Sequence, residues 1–454
     1  MDNKKIRLMS EAPVAEAIFK MSIPMVMGMM VQVFYNLVDT YFIGRLGDAN
    51  QLAASNMALP IFMMLMAIAG IIGTGASSYI SRCLGNKNYE EANRVTTIAT
   101  GLLVILSIIV TIGGLLGTNG IVKMLGATEL TFTYTKQYVS IMFMGSIAVM
   151  CNYAFGQLLR AEGDAMKAMI GMMIGTVANI ILDPILIFVF DLGIVGAALA
   201  TVLGNFLGLT YYIWSFAKGK TLLRIHPKQF GFDKEIYGEI FKIGVPASLN
   251  QMLMSFATII ANNIAIGYGE LTVAGMGVAM KIMTIGTFVF MGFAAGCQPL
   301  VGFNYGAKNH SRVKEIIQKG IIITSIIGVC LATLFGIFAS GLISVFTPDQ
   351  EVVEIGTTIL RALIFSLPFI GGQMVTTTSV QAMGKGIAAL ILSIARQGIL
   401  YVPLLIILNK LAGFEGFIYA QPITDAIMLV FAFIIVFRVL AQEDAKQVIE
   451  VNQC

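Results

Sequence analysis

Long apolar runs separated by short polar breaks dominate this chain. Twelve of them reach the roughly 20 mostly apolar residues that a membrane-spanning helix needs. They lie at about 20–44, 52–82, 93–116, 134–159, 166–190, 194–217, 239–266, 273–302, 316–341, 356–382, 387–409 and 415–438. The runs are continuous rather than alternating, which excludes the strands of a membrane barrel. Helices remain as the way to satisfy the backbone in lipid. The pattern predicts an all-α polytopic membrane protein with twelve transmembrane helices.

The pattern also repeats. A shift of 222 aligns Phe19, Lys20 and Pro24 with Phe241, Lys242 and Pro246. A shift of 221 aligns Gly75, Gly85, Lys87 and Asn88 with Gly296, Gly306, Lys308 and Asn309, and Ala161 and Gly163 with Ala382 and Gly384. Near the end, Gly193, Gly196 and Ala200 match Gly413, Gly416 and Ala420 at a shift of 220. Each half holds six spans, so both halves start on the same side of the membrane and form parallel repeats. The expected organisation is an N-lobe over 1–217, a linker over 218–232, and a C-lobe with its tail over 233–454. Paired six-helix lobes suit a rocking transporter with a site between or within the lobes.

Composition narrows the class. Of 454 residues, 57% are hydrophobic and 12% charged, and the mean hydropathy is +0.84. Ordinary soluble proteins carry about 25% charged residues. The chain therefore lacks the polar coat of a soluble enzyme. Its five cysteines share no CxxC spacing, and His226 and His310 sit in polar connectors, so neither a zinc site nor a disulfide framework is expected. No triad, metal cluster or phosphate loop appears, which argues against an enzyme. The lack of GxxxxGK[ST] excludes an ATP-driven pump within this chain. No basic run suggests nucleic acid, and the polar start, Met1 to Lys20, predicts no cleavable signal peptide.

Charge placement orients the spans. With the N-terminus in the cytoplasm, the cytoplasmic segments hold 22 Lys and Arg residues, while the outer ones hold four: Arg45, Lys123, Lys136 and Lys410. The outer connector near 348–354 is acidic. This bias predicts both termini and the linker on the cytoplasmic side of a cell (inner or plasma) membrane.

Ionisable residues inside spans are functional candidates, since each costs about 2.5–3.5 kcal/mol on insertion scales. In the first half, Asp39 and Asp183 stand out. Gln32, Tyr35, Asn36 and Asp39 follow i, i+3, i+4, i+7 spacing, which gives the first span one polar face. Met172, Thr176, Asn179 and Asp183 do the same on the fifth. At about 1.5 Å per residue, Asp183 and Thr201 lie at matching depth, roughly 10 Å below the outer surface. Two carboxyls with Asn and Thr oxygens nearby can share a proton or hold a small hard cation such as sodium. The plainer alternative makes Asp39 an interfacial carboxylate and lets Pro184 open the helix beside Asp183. In the second half, Lys281, Arg361, Arg396 and Asp425 lie within spans. Lys281 and Asp425 are expected either to pair across the C-lobe, or to leave Lys281 as a gating charge. The 28 methionines suit an adaptable pocket, although packing explains most of them.

The segments LVDTYFIGRLG (37–47), LGNKN (84–88), RAEGDAM (160–166), NIILDP (179–184) and GIVGAALAT (193–201) carry a resemblance. In their order and spacing the chain resembles the multidrug and toxic compound extrusion (MATE) family over essentially its whole length. The resemblance implies two six-helix lobes around a V-shaped cavity. It implies a monomeric exporter of amphipathic, often cationic, drugs, driven by inward proton or sodium flow, with no cofactor beyond the coupling ion. It maps a family cation site onto Asp39, Asn179, Asp183 and Thr201. It maps drug-facing positions onto Gln32, Tyr35, Tyr138, Asn152 and Met172; Asn36, on the same polar face as Gln32 and Tyr35, is a further candidate, and Pro24, like Pro246, removes a backbone hydrogen bond and is a candidate bend. No metal site is implied other than sodium at Asp39 and Asp183. The acidic residues that other branches carry in spans 7, 8 or 10 are missing between Lys242 and Glu270 and after Glu354. A lipid-linked oligosaccharide flippase of related fold is the alternative. It would need basic residues in its cavity, and the first lobe has no mid-membrane Lys or Arg.

Overall fold

A computed structural model describes the backbone of residues 2–46, 48–219 and 221–453. The side chains at 2–4, 36, 40, 49, 255, 444 and 446–453 also fall outside it. The expected polar-face role of Asn36, and the orienting charges Lys4, Lys220 and Lys446, therefore lie outside the described residues. Regular structure among the described residues is helical throughout. The helices in chain order are α1 (Asp2–Ser10), α2 (Val14–Gly44), α3 (Ala49–Gly85), α4 (Tyr89–Met124), α5 (Glu129–Met144), α6 (Ser146–Ala161), α7 (Ala165–Pro184) and α8 (Gly193–Ala217). After the linker come α9 (Lys234–Ile266), α10 (Glu270–Gly306), α11 (His310–Ile337), α12 (Ala339–Ser344), α13 (Gln350–Leu363), α14 (Leu367–Ala382), α15 (Gly386–Ile394) and α16 (Val402–Gln453). Ile185–Val189 and Ala395–Tyr401 are wider, π-helical turns.

Among the described residues, ten helices are long and apolar enough to cross a membrane, and the bent pair α5–α6 makes an eleventh. The last of the ten, Gly386–Glu443, is two helices run together, because Gly413 leaves helical geometry at φ 59° and ψ −134°. Twelve spans are thereby accounted for. The 54° bend between α5 and α6 centres on Gly145, where the Val202 side chain fills the place a Cβ would take. Thr111 stitches the break, with its hydroxyl 2.9 Å from the Phe143 carbonyl and 2.7 Å from Ser146 Oγ. Backbone groups freed inside lipid need such partners.

The duplication is visible in the backbone. Lys87 and Lys308 both take positive φ, 63° and 57°, after α3 and α10, and each starts the turn into the next helix. Gly163 and Gly384 repeat this at 83° and 75°, and Gly193 and Gly413 at 52° and 59°. Positive φ is rare for lysine, so its recurrence at equivalent positions marks one ancestral turn used twice.

The chain packs as two compact units, Met1–Arg7 with Met27–Gly244, and Leu8–Val26 with Val245–Cys454. In the first, α3 packs against α4, α5 and α6, and α7 lies along α8. In the second, α10 packs against α11, α13 and α14, with α14 also against α16. The start of each repeat is exchanged. The first turns of α2 belong to the second unit, where Val26 Cα lies 2.7 Å from where a Gly292 Cβ would sit and Ser22 Oγ donates to the Phe293 carbonyl at 3.3 Å. The first turns of α9 belong to the first unit, where Gly244 abuts the backbone of Ile71 and Arg82 reaches Glu239 at 2.7 Å. Both exchange points fall within two residues of Pro24 and Pro246, where proline removes a helical hydrogen bond.

Candidate ion-coupling site in the first unit

Two glycine pairs set the site. Gly171 and Gly175 on α7, and Gly204 and Gly208 on α8, each have the small-xxx-small spacing that lets membrane helices approach closely. A Cβ on Gly204 would stand 2.6 Å from the Gly175 carbonyl oxygen, and one on Gly208 would stand 2.8 Å from that of Gly171. The backbones are therefore in contact. That contact brings Asn179 of α7 to Thr201 of α8, with Asn179 Nδ2 donating to Thr201 Oγ1 at 3.4 Å.

The polar faces read from the sequence converge here. Tyr35 of α2 lies 3.5 Å from Thr201, hydroxyl to hydroxyl. Thr201 also donates to the Ala197 carbonyl at 3.1 Å, so its hydroxyl is fully engaged. Asp39 of α2 and Asp183 of α7 are direct neighbours, and Tyr138 of α5 neighbours Thr201 and both carboxyls. Asp183 is 0% exposed and Asn179 3%. Among the described residues, four buried acceptor oxygens have no hydrogen-bond partner: Asp39 Oδ1, Asn179 Oδ1 and both carboxyl oxygens of Asp183. Such groups are costly to bury unpaired, more so for two adjacent carboxyls. A proton or a small hard cation is one partner that would suit all four.

A second layer extends from this centre. Asn152 of α6 donates to Asn205 Oδ1 at 3.0 Å, and Asn205 donates to the Thr201 carbonyl at 2.8 Å. Asn152 Oδ1 is itself buried and unpartnered. Asn205 was not among the expected site residues. Its signal was present, since it follows Thr201 by four residues on the same helix face. Met172 of α7 covers Gly28 of α2, and Gln32 lies half-buried one turn further along α2. Pro24 lies beyond the unit boundary, in the segment of α2 packed on α10.

The sequence profile of the MatE family matches residues 24–185 and again 246–407. The chain belongs to the MatE family. The two matches repeat at a shift of 222, as the internal duplication does. The multidrug export protein MepA of Staphylococcus aureus is 34% identical over 438 residues, covering 96% of both chains. MepA of Staphylococcus saprophyticus is 32% identical over 439 residues, with the same coverage. Among solved structures, an outward-facing multidrug resistance MATE transporter of the MOP superfamily superposes with a TM-score of 0.93 at 29% identity, over 97% of this chain and 99% of that one. A MOP-superfamily transporter from Pyrococcus furiosus, described as having a binding pocket of reversed polarity, superposes at 0.91 with 29% identity, over 97% and 99%.

This MatE chain carries a different polar centre in its second unit. Asp425, 0% exposed, accepts from Arg396 Nε at 3.2 Å and Nη2 at 3.1 Å, and from Gln421 Nε2 at 3.0 Å. The expected Lys281–Asp425 pair is therefore not formed. Arg396 comes from the π-helical turn, whose extra residue re-aims its side chain toward α16. Lys281 is exposed on α10, with its Nζ 6.0 Å from the centre of the Phe346 ring. Arg396 and Asp425 satisfy each other's charge, whereas Asp39 and Asp183 do not.

Proposed function

We propose that this chain is a secondary active exporter that couples inward flow of protons or sodium to the outward movement of amphipathic, often cationic, organic compounds. It works in the cell membrane with both termini in the cytoplasm. The observation that carries the reading is Asp183: fully buried in a membrane helix, next to Asp39, with neither carboxyl oxygen partnered among the described residues. A structural carboxylate would have a cation or donors of its own, as Asp425 does. A buried carboxyl pair without an internal counter-ion suits the uptake of a proton or a small cation from outside the protein, and that is what coupling requires. Kinship with MepA, a multidrug export protein, supports small organic compounds as the cargo.

In this mechanism Asp39, Asn179 and Asp183 offer the ion its oxygens, and Thr201 positions Asn179. Asp39 lies on the same helix face as Gln32 and Tyr35, so neutralising it changes the face that a bound compound meets. Pro24 gives α2 a place to bend. Gln32, Tyr35, Tyr138, Asn152 and Met172 are proposed to line the path of the compound.

Purified protein in proteoliposomes, loaded with an ethidium-like dye and given one ion gradient at a time, tests this. A proton or a sodium gradient should drive dye movement, and Asp183→Asn or Asp39→Asn should stop it while leaving folding intact. Because both carboxyls serve one site, the double variant should be no worse than either single one. Wild-type rates and ion dependence in both single variants would move coupling elsewhere.

A further inference from the structure

The first unit has a second concavity, well away from the carboxyl pair in its chemistry. It is a groove of about 410 Å³ between α4, α6 and α8. Val104, Ile147, Cys151, Leu209, Ile213 and Phe216 supply its apolar lining, and Phe155 stacks edge-on against Phe216 at 5.4 Å. It is open on the side that lipid would cover: Val104 is 37% exposed, Ile147 38% and Ile213 51%. From Leu209 to Ala217 it follows α8 for roughly 12 Å, close to the hydrocarbon depth of one leaflet, about 15 Å.

One end of the groove is closed by the linker, which is pinned there residue by residue. Glu162 accepts from the Leu222 and Leu223 amides at 2.6 and 3.1 Å, Asn93 from the Arg224 amide at 2.7 Å, and Thr97 from the His226 amide at 3.0 Å. Ala217 and Ile225 form the last of the lining. Their chain neighbours at this end are Lys218 and Arg224, both exposed. Nearby carboxylates are already engaged: Asp233 with Arg94 at 2.8 Å, and Glu162 with Lys5 at 2.7 Å. The mouth is cationic and the interior apolar, which is the charge complement of a phospholipid with an anionic headgroup. A cationic amphipath would be repelled by the same two residues.

We propose that this groove holds one acyl chain of an anionic phospholipid from the leaflet bordering the linker, with its phosphate met by Lys218 and Arg224. The lipid would then lie against α6 and α8, the helices that carry Asn152, Thr201 and Asn205.

The chain's single tryptophan stands next to the groove and can report on what enters it. Trp214 lies on α8 beside Ile213, with Lys218 Nζ 4.5 Å from the centre of its ring. Full-length protein is placed in phosphatidylcholine vesicles and titrated with bromine-labelled phosphatidylglycerol or bromine-labelled phosphatidylcholine, while Trp214 quenching is followed. The phosphatidylglycerol midpoint should fall at up to about thirtyfold lower mole fraction, the combined weight of two close basic residues against an anionic headgroup. Lys218→Gln with Arg224→Gln should erase the preference, and Cys151→Phe, which fills the groove, should weaken quenching by the labelled chains of both lipids. Both variants should retain the wild-type helical spectrum. Equal midpoints for the two lipids in the wild type would overturn the proposal. So would displacement of phosphatidylglycerol by soluble glycerol phosphate, which would mark a site for free phosphate rather than lipid.

Discussion

The sharpest test of the site is a single methyl group on α8. In Gly204→Ala the new Cβ would stand 2.6 Å from the Gly175 carbonyl oxygen and 3.0 Å from Asn179 Cβ, where ordinary contact starts at 3.4 Å. The larger shortfall is about 0.8 Å, and backbone on one side and Asn179 on the other leave no flexible side chain to absorb it. Helices α7 and α8 must separate by a comparable amount. The Asn179–Thr201 hydrogen bond is 3.4 Å long at the start, so the same displacement carries it out of range. One lost hydrogen bond is worth about 0.5–1.5 kcal/mol, hence at most about tenfold in ion occupancy. Overpacking of this kind costs a further 1–3 kcal/mol or so in stability.

The assay is dye efflux from proteoliposomes at graded proton or sodium concentration, with thermal unfolding in detergent measured alongside. Gly204→Ala should raise the half-saturating ion concentration several-fold, by up to about tenfold, and lower the unfolding temperature. Gly113→Ala on α4 is the control, because nothing lies within 4 Å of its added Cβ. It should leave both readouts unchanged or stabilise slightly, as alanine is the better helix former. Wild-type ion dependence and stability in Gly204→Ala would refute the claim that α7–α8 contact sets the site. So would an equal loss in Gly113→Ala.

Three further outcomes follow from named contacts. Arg396→Met or Asp425→Leu alone should destabilise the protein by about 3–5 kcal/mol, because each leaves a buried charge unpaired, and the double variant should recover most of that in thermal unfolding. Burial raises the pKa of Glu162, and Lys5 opposes that rise. Lys5→Met should therefore push the Glu162 pKa higher, so that stability is greatest below the unfolded-state value near 4.3 and falls as pH rises toward the folded one, by up to about 1.4 kcal/mol per unit. Unfolding temperatures measured from pH 5 to 8 should then slope downward more steeply than in the wild type, and parallel slopes would remove Lys5 from the balance. A cysteine placed near Asp349 in a cysteine-free background should react with an impermeant thiol reagent from outside, and one near Lys228 only from the cytoplasm; reversed labelling would overturn the orientation.

Spans and duplication were legible because both are periodic. An apolar run of fixed length and a recurring Gly-x-Lys-Asn turn need no partner to be recognised. The carboxyl site was legible for a related reason: Gln32, Tyr35 and Asp39 on one helix, and Asn179 and Asp183 on another, each mark a polar stripe that lipid would not tolerate. Three features stayed hidden. Asp425 had several basic candidates, and the choice of Arg396 over Lys281 depends on a π-helical turn that leaves no hydropathy signal. The bend at Gly145 depends on Val202, a residue two spans away. The exchange of first segments between units is silent in the sequence because a repeat fixes which residues correspond, not which ones touch.

The duplication bears on the proposed placement of coupling in one unit. At the shift of 222, Tyr35 corresponds to Ala257 and Asp39 to Ala261, each 2% exposed and part of the apolar core of the second unit. Around the counterpart of Asp183 the chain reads Pro403, Leu404 and Leu405, with no carboxyl, and Thr201 corresponds to Gln421. Gln421 donates to Asp425, which stands where the first unit has Asn205. The second unit thus has packed alanines where the first has Tyr35 and Asp39, and the charge it keeps is neutralised internally by Arg396. Of the two polar centres described, the Asp39–Asp183 pair is the one proposed to gain and lose a charge during a cycle, because it lacks such an internal counter-ion. In the proposed mechanism, an ion gradient therefore acts through the first unit.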